Sequence, residues 1–190
     1  MFKPRTHDLV WSIKDDKGQP IDAVSVDVIT MGQHRALSQG KNQEADEVKL
    51  LRACISKSTG LPESTLKSLV TPDYNSVQDQ VLELMTITAD KLIEGDFDLN
   101  SPTLLIPIQG DDGQEKSTYK LRPPTVATTD LMDSHDDEWQ RTIFISSSCS
   151  GFSQSELESL SLPDWNQLQE RLIDFLGKSA DFFRQEMSKS

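Results

Sequence analysis

The sequence has few cysteines, no long apolar run and few positive charges. Its two cysteines, Cys54 and Cys149, share no close spacing with each other or with the three histidines, so neither a zinc site nor a disulfide framework is indicated. No apolar stretch approaches the roughly 18 residues that a membrane-spanning helix needs. Residues 1–5 lead into polar sequence rather than into the apolar region of a signal peptide. We expect a cytoplasmic, soluble protein whose thiols are buried or incidental.

Motifs of catalytic and cofactor sites are also lacking. The sequence has no glycine-rich phosphate loop, no HExxH and no GxSxG. Residues 96–100 resemble the start of an EF-hand loop, but Ser101 stands where that loop needs glycine, and Pro107 stands where it needs a bidentate glutamate. The acidic segment 133–138, which includes His135, is typical of a loop that caps and solvates a helix start. The sequence therefore predicts a protein that is not an enzyme and needs no cofactor or metal.

Positive charge is scarce throughout the chain, and the net charge is -12. Up to Gly95 there are 11 basic and 14 acidic residues, and after it 8 basic and 17 acidic residues. Such a field repels phosphate backbones, which argues against nucleic-acid binding and favours a basic or polar protein partner. Solubility alone is the simpler explanation of the charge. The apolar fraction of 35%, spread along the chain, is sufficient for a packed core.

What the sequence does contain is a repeat. Residues 71–78 read TPDYNSVQ, and residues 162–169 read LPDWNQLQ. A shift of 91 positions makes fourteen of the 45 residues from 46 to 90 identical to their counterparts. Upstream the shift becomes 95, which pairs Leu9 with Leu104. Self-similarity over this length indicates a repeated structural unit.

Substitutions between the two stretches preserve the character of the side chain, as in Tyr74 and its counterpart Trp165. This conservation of character favours a shared fold over shared composition. We predict two copies of one domain, at residues 1–97 and 98–190. Their boundary falls in the turn-rich segment 94–102, EGDFDLNSP.

Each copy is predicted to be a β-hairpin followed by three to four helices, which gives an α+β fold that is mainly helical. The hairpin is indicated by apolar runs at 9–13 and 104–108, each followed by a polar turn and an alternating run. The residues of the alternating runs are Val24, Val26 and Val28 in the first copy, and Tyr119 and Leu121 in the second.

Residue types that start and stop helices divide the rest of each copy. Threonine at an N-cap, a serine-to-glutamate capping box, proline in a first turn and glycine past a last turn are the signals used. The threonine caps are Thr30 and Thr125, and the capping box is Ser153 with Glu156. The prolines are Pro72 and Pro163, and the glycines are Gly60 and Gly151. The second helix of each copy is predicted at about 44–56 and 137–147. On the last helix, a helically spaced stripe is predicted to be mostly core, with Trp165 and Tyr74 packing inside. The stripe consists of Leu168, Leu172, Phe175, Leu176 and Ser179.

The second copy resembles a known family. The run LLIPI, a turn, YKLRPPTV, an acidic-led helix and then CSGFSQSELESLSLPDWNQLQERLIDFLG are similar to the Mu-like phage tail assembly chaperones. The resemblance covers residues 104–177 well and residues 9–84 more loosely. Family members usually look like one copy, so the duplication is a departure from the family pattern.

The resemblance implies a non-enzymatic role. Such chaperones are thought to bind the long helical tape measure protein, to keep it soluble while the tail tube polymerises, and to leave before the tail is complete. Three apolar residues extend the last helix beyond the matched pattern and are the candidates for a partner surface, namely Phe182, Phe183 and Met187. Packing of these residues against the first copy or another subunit is the alternative.

The leading interpretation is a tail assembly chaperone built as a fused dimer, whose two copies supply within one chain the interface of a dimer. It predicts a pseudo-symmetric contact between the copies. Two alternatives stay open. The protein could instead be a minor tail or neck component that remains in the virion. It could also be an acidic module that mimics DNA, in which case its charge should form one continuous face.

Overall fold

The computed structural model describes residues 2–39 and 44–188 and confirms an α+β fold that is mainly helical. Each half of the chain begins with an antiparallel hairpin, and the two hairpins form separate two-stranded sheets. The elements in the first half are β1 (Arg5–Lys14), β2 (Pro20–Val26), α1 (Met31–Ser38), α2 (Glu44–Thr59), α3 (Glu63–Leu66), α4 (Thr71–Thr86) and a 3-10 turn (Ala89–Lys91). Those in the second half are β3 (Thr103–Gln109), β4 (Glu115–Thr118), α5 (Val126–Asp133), α6 (Glu138–Ser150), α7 (Gln154–Ser159), α8 (Leu162–Gly177) and α9 (Ala180–Met187).

Both hairpins break their register at corresponding places. The pairing of β1 with β2 shifts between Asp8 and Ile13, and the pairing of β3 with β4 shifts between Thr103 and Ile108. The two breaks are related by the shift of 95 residues. At such an irregularity, backbone N–H groups leave the ladder and need another acceptor.

β4 is shorter than the alternating pattern predicts. Tyr119 and Leu121 lie beyond its end, although both are buried as the pattern requires. Their backbone N–H groups donate to the carbonyls of Pro102 and Asn100, ahead of β3. The hairpin therefore continues as irregular pairing past the register break, and Val28 likewise lies beyond β2.

The predicted helix signals act where the sequence places them. Thr30 and Thr125 accept from the N–H groups of the third helical residues, and Ser153 forms a capping box with Glu156. Gly151 adopts a left-handed conformation at φ 75° and ends α6. Because the helix continues up to this glycine, α6 is about one turn longer than predicted, and α2 is longer in the same way.

The sequence analysis expected the C-terminal residues to extend the last long helix, but the structure shows that they form a separate helix. Helix α8 ends at Gly177, and Lys178 and Ser179 are extended, with ψ angles of 152° and 162°. Extended ψ angles cannot continue the helical hydrogen bonds. The chain therefore turns, and α9 starts as a separate helix at Ala180.

Each half has its own core, and a third cluster joins them. The first core lies between β1, β2, α2 and α4, and includes Val26, Ile55 and Val77. The second core contains the fully buried Leu157, Leu160, Leu168 and Leu172, with Trp165 and Tyr119. The predicted packing roles of Trp165 and Tyr74 are confirmed, because both side chains pack in these cores. The third cluster consists of Ile29, Cys54 and Leu162.

Hydrogen bonds recur in the two halves at the same two shifts. The Ser64 hydroxyl donates to Asp16, and the Ser155 hydroxyl donates to Asp111. The Ser56 hydroxyl donates to the Leu61 carbonyl, and the Ser147 hydroxyl donates in the same way to the Phe152 carbonyl. The Asp27 N–H donates to the Ser58 carbonyl, and the Arg122 N–H donates in the same way to the Cys149 carbonyl. The halves thus share contacts as well as element order.

Candidate partner-binding surfaces

The aspartate of the repeated motif ties the last long helix of each half to its hairpin. Asp73, in the first turn of α4, accepts the N–H groups of Val10 at 3.1 Å and Trp11 at 3.2 Å. Asp164, in the first turn of α8, accepts from Leu105 at 2.7 Å. These donors lie in the register breaks, so each carboxylate satisfies the N–H groups that the ladder leaves unpaired. The motif therefore has a structural role within each half.

The two aspartates have different surroundings, and their pKa values shift in opposite directions. Burial raises the pKa of Asp164 to about 6, against hydrogen bonds from Leu105, Ser161 and Ile106 that lower it. Burial also raises the pKa of Asp73, but the N–H groups of Val10 and Trp11, together with His7, outweigh that effect and leave a lowered value. The His7 ring nitrogen, Nε2, lies 3.2 Å from Asp73 Oδ1.

The halves are joined by a short stretch of β pairing. Met31 N–H donates to the Leu160 carbonyl at 2.8 Å, and Leu162 N–H donates to the Ile29 carbonyl at 2.9 Å. Thr30 and Ser161 form the isolated bridge between these bonds. Helix α1, which follows, packs against α7 of the other half. The segment 29–31 therefore acts as a strap from the first half onto the second.

A second set of contacts joins the end of α4 to the start of α8. The Asn166 side chain donates to the carbonyls of Met85 and Ile87, both at 3.0 Å. The side-chain carbonyl of Gln167 accepts the N–H of Asp90 at 3.2 Å. Because these groups include the carbonyls that a helix leaves unsatisfied at its C-terminus, the contact also caps α4.

A charged contact completes the junction. The Arg35 guanidinium on α1 lies 3.8 Å from Glu158 and 4.3 Å from the centre of the Trp139 ring. Gly32 allows α1 to approach α7 closely, because a Cβ atom at this position would lie 2.9 Å from the Glu158 carbonyl oxygen. The junction therefore combines backbone pairing, buried apolar side chains and an ion pair.

The contact between the halves is not pseudo-symmetric, which corrects the expectation from the sequence. A two-fold contact would pair α1 with α7 and, equally, α5 with α3. Among the described residues, the strong α1–α7 contact has no counterpart of similar extent between α5 and α3. The strap 29–31 of the first half lies on the segment 160–162 of the second half, which is not the counterpart of the strap. The two halves therefore contribute different surfaces, and the contact is heterologous.

The C-terminal helix carries the candidate residues Phe182 and Phe183. Both side chains are half-buried. Phe183 packs against Phe175 of α8, with ring centres 5.6 Å apart, and against Phe182 at 5.2 Å. The Met187 side chain lies outside the described part of the structure. The sequence analysis placed the aromatic residues on an extension of the last helix, whereas they lie on a separate helix that folds back onto α8. Gly177, the last residue of α8, is the signal that could have indicated the break.

A buried arginine holds the C-terminal helix in place. Arg171 is 3% exposed and pairs with Glu186 of α9 at 2.8 Å. Its guanidinium also lies 5.0 Å from the Phe175 ring and 5.2 Å from the Phe183 ring. Such stacking and bidentate pairing suit the planar guanidinium. Sequence reasoning missed Arg171, because a lone arginine in a helix gives no indication that it is buried.

Exposed apolar side chains and an open groove supply further candidate contact surface. On α8, Ile173 is 68% exposed and Leu176 is 45% exposed. Of the stripe that was predicted to be mostly core, Leu168 and Leu172 are buried and Phe175 is partly buried, whereas Leu176 and Ser179 are exposed. An open groove of about 770 Å³ runs between the halves, lined by Phe2, Arg5, Leu92, Ile93, Leu104 and Leu105 among others.

The acidic and histidine residues considered in the sequence serve local structure. Asp137 caps α6 by accepting the N–H of Gln140 at 2.9 Å, and the His135 ring packs on Phe144. Across residues 2–39 and 44–188, no group of three or more His, Cys, Asp or Glu side chains could hold a metal ion. No helix in that part of the chain is long and apolar enough to cross a membrane.

The comparison that bears on these surfaces concerns the second half. Residues 101–177 match the family model of phage tail assembly chaperone proteins, E, or 41 or 14. The matched segment runs from the start of β3 to the end of α8 and therefore excludes α9. No curated protein and no solved structure matches the chain. The match supports the family suggested by the motifs of the second half.

Proposed function

We propose that this protein is a non-enzymatic phage or prophage tail assembly chaperone that binds the tape measure protein in the cytoplasm of the bacterial host and is absent from the mature virion. The observation that carries the proposal is the family match over residues 101–177. A strongly acidic chain with exposed apolar side chains suits a protein that keeps an amphipathic helical partner soluble.

We also propose that residues 1–97 and 98–190 are two copies of one domain. The common element order, the corresponding register breaks and the recurring hydrogen bonds support this division. The equivalent roles of Asp73 and Asp164 add to it, since each lies at the same position of the motif and binds the corresponding strand. The second copy is closer to the family pattern.

The tape measure protein is proposed to contact α9 and the exposed end of α8. Phe182 and Phe183 are half-buried, and an amphipathic partner helix could pack beside them through apolar contacts. Leu176 extends this apolar surface, with 45% of its area exposed. A DNA-mimicking role is less well supported, because Asp73, Asp164 and Glu156 are buried in contacts within the protein and do not add to a charged face.

Co-expression with the tape measure protein of the same phage tests this function. The tape measure protein is expected to be soluble and to co-purify only when the full-length chain is present. Replacing Phe182 and Phe183 together by serine should reduce capture, whereas Val10→Ser, which changes an exposed valine of the first half, should not.

Each result has a distinct meaning. Failure to capture the tape measure protein, while circular dichroism shows a folded chain, would contradict the proposal. Detection of the protein in purified virions would favour a minor tail or neck component. Equal capture by the wild type and the double serine variant would place the contact elsewhere on the protein.

A further inference from the structure

The junction between the halves leaves one surface of each half without a partner. In the first half it uses the strap 29–31 with α1, and the end of α4. In the second half it uses the segment 160–162 and the start of α8. The counterparts of these surfaces do not take part. They are the strap 124–126 with α5 in the second half and the segment 69–71 in the first half. We call 69–71 the acceptor segment, because it corresponds to the segment 160–162 on which the strap 29–31 lies. A heterologous contact of this kind can repeat from molecule to molecule.

Exposed apolar side chains mark the strap of the second half. Val126 of α5 corresponds to Met31 and is 77% exposed, whereas Met31 packs on two of the apolar clusters. Leu131, also on α5, is 58% exposed. Helix α5 packs on α6 of its own half, as α1 packs on α2. The strap of the second half is therefore held in place but uncovered.

The acceptor surface of the first half is uncovered in the same way. Val70 corresponds to the buried Ser161 and is 37% exposed. Val48 of α2 corresponds to Trp139, over which Arg35 lies in the junction, and is 63% exposed. Val10 is 72% exposed, whereas its counterpart Leu105 is 3% exposed and lies in the groove shared with the first half. These residues lack the cover that a preceding half would supply.

The backbone of both uncovered segments already has the bound conformation. Thr30 has φ −83° and ψ 160°, and its counterpart Thr125 has φ −84° and ψ 165°. Ser161 has φ −61° and ψ 153°, and its counterpart Val70 has φ −68° and ψ 148°. Because both sides are preorganised, pairing needs little further ordering of the chain.

The hydrogen-bonding groups needed for the pairing are present. In the repeated contact, Val126 N–H would donate to the Leu69 carbonyl, and Thr71 N–H would donate to the Pro124 carbonyl. Proline supplies a carbonyl as well as any residue does. Neither the Leu69 carbonyl nor the Thr71 N–H has a hydrogen-bond partner among residues 2–39 and 44–188.

The second contact of the junction also has an unused counterpart. Asn75 corresponds to Asn166 and is exposed. The carbonyls that it would meet are those of Leu176 and Lys178. The backbone at Lys178, with φ −97° and ψ 152°, resembles that at Ile87, with φ −71° and ψ 153°.

The charged contact is reversed in sign but remains complementary. Arg35 of α1 corresponds to Asp130 of α5, and Glu158 corresponds to Lys67. Asp130 and Lys67 are both exposed, and Lys67 pairs with Glu63 at 2.8 Å. In the repeated contact, the negative charge of Asp130 on α5 would meet the positive charge of Lys67 beside the acceptor segment. Opposite charges at these positions are expected for a second pair of complementary surfaces.

One substitution makes the repeated contact looser than the internal one. Ala127 stands where Gly32 allows the close approach of α1 to α7. Its Cβ atom would meet the backbone of Lys67 if the contact were identical, so α5 must lie slightly farther from its acceptor. The repeated contact is therefore weaker than the one within the chain.

We propose that molecules of this protein associate head to tail, with the strap 124–126 and α5 of one molecule bound to the segment 69–71 of the next. Asp130 then pairs with Lys67, and Asn75 caps the end of α8 in the neighbouring molecule. Because the contact does not close between two molecules, it produces chains or rings rather than a two-fold dimer. The inference rests on the proposed duplication and not on the chaperone function.

Sedimentation velocity of the full-length chain over a concentration series tests this proposal. We expect species larger than a dimer that increase with concentration. Asp130→Lys and Lys67→Asp should each weaken association by about fivefold or more, because like charges then face each other. An equimolar mixture of the two variants should restore association, since each strap then faces an acceptor of opposite charge.

Two further variants sharpen the test. Asn75→Ala should weaken association about tenfold without changing the fold, because two hydrogen bonds are lost only between molecules. Glu115→Lys makes the same charge change as Asp130→Lys at an exposed position outside both surfaces, and it should leave association unchanged. A chain that stays monomeric at every concentration would overturn the proposal. Association that is unchanged in Asp130→Lys, Lys67→Asp and Asn75→Ala would also overturn it. Loss of tape measure binding in a variant that still assembles would concern the chaperone function alone.

Discussion

Asp164 accepts a hydrogen bond of 2.7 Å from the backbone N–H of Leu105. The same contact joins Asp73 to Val10 at 3.1 Å in the first half. Each bond links the first turn of a helix to an irregular point of a hairpin strand, so a single carboxylate fixes how hairpin and helix pack. The two carboxylates nevertheless differ in pKa, and this difference makes them separable by experiment.

Asp164→Asn should remove a pH-dependent part of the stability. The pKa of Asp164 is raised from 3.8 to about 6 in the folded chain. The proton that the folded state holds more tightly stabilises it below about pH 4, and this stabilisation is lost as the pH rises through about 6. The free energy of unfolding of the wild type, relative to the variant, should fall by about 3 kcal/mol over that range. Urea unfolding between pH 4 and pH 7 measures it, and a constant difference would contradict it.

Asp73→Asn should show the opposite pH dependence. The pKa of Asp73 is lowered in the folded chain, because the hydrogen bonds to its ionised form outweigh the effect of burial. The stabilisation by its carboxylate is therefore present above the unfolded pKa near 4 and is lost as the pH falls through the lowered value. Thermal unfolding from pH 2 to pH 5 should show the wild type converging on the variant at the acid end. Divergence at the acid end would refute this assignment.

Asn166→Ala should weaken the junction between the halves. The variant loses two hydrogen bonds, to the carbonyls of Met85 and Ile87, and the unfolding free energy should fall by about 1–3 kcal/mol. Urea unfolding of dilute protein measures this loss. The matched control is Asn75→Ala, which removes the exposed asparagine at the corresponding position and should leave the stability of the monomer unchanged. Equal losses in both variants would contradict the assignment of Asn166 to the junction.

Phe183→Ala should release α9 while the rest of the fold stays intact. The ring of Phe183 contacts Phe175, and Arg171 lies over both rings, so its removal weakens the packing of α9 on α8. Faster amide hydrogen exchange is expected in α9, with little change in α8. Arg184→Ala, at an exposed position on α9, is the control and should not change the exchange rates. Protection of α9 equal to that of the wild type would show that the aromatic contacts do not hold it.

Much of the local structure could be predicted because its causes lie within a few residues. The threonine and serine caps, the left-handed glycines and the prolines of the first turns each act on backbone groups of their own turn. The end of α8 was mispredicted. The helix ends at Gly177, and the extended conformation at Lys178 and Ser179 turns the chain so that Phe183 and Glu186 of α9 contact α8.

The sequence by itself determined the order of hairpin and helices, the positions of the caps and the similarity of residues 46–90 to residues 137–181. Only the tertiary structure decided what the repeated aspartate binds, that Arg171 is buried, and that the halves meet through unlike surfaces. Asp164 and Leu105 are 59 residues apart, and Asn166 and Met85 are 81 apart. Contacts over such separations depend on how the folded elements pack, and a pattern of neighbouring residues carries no record of that packing.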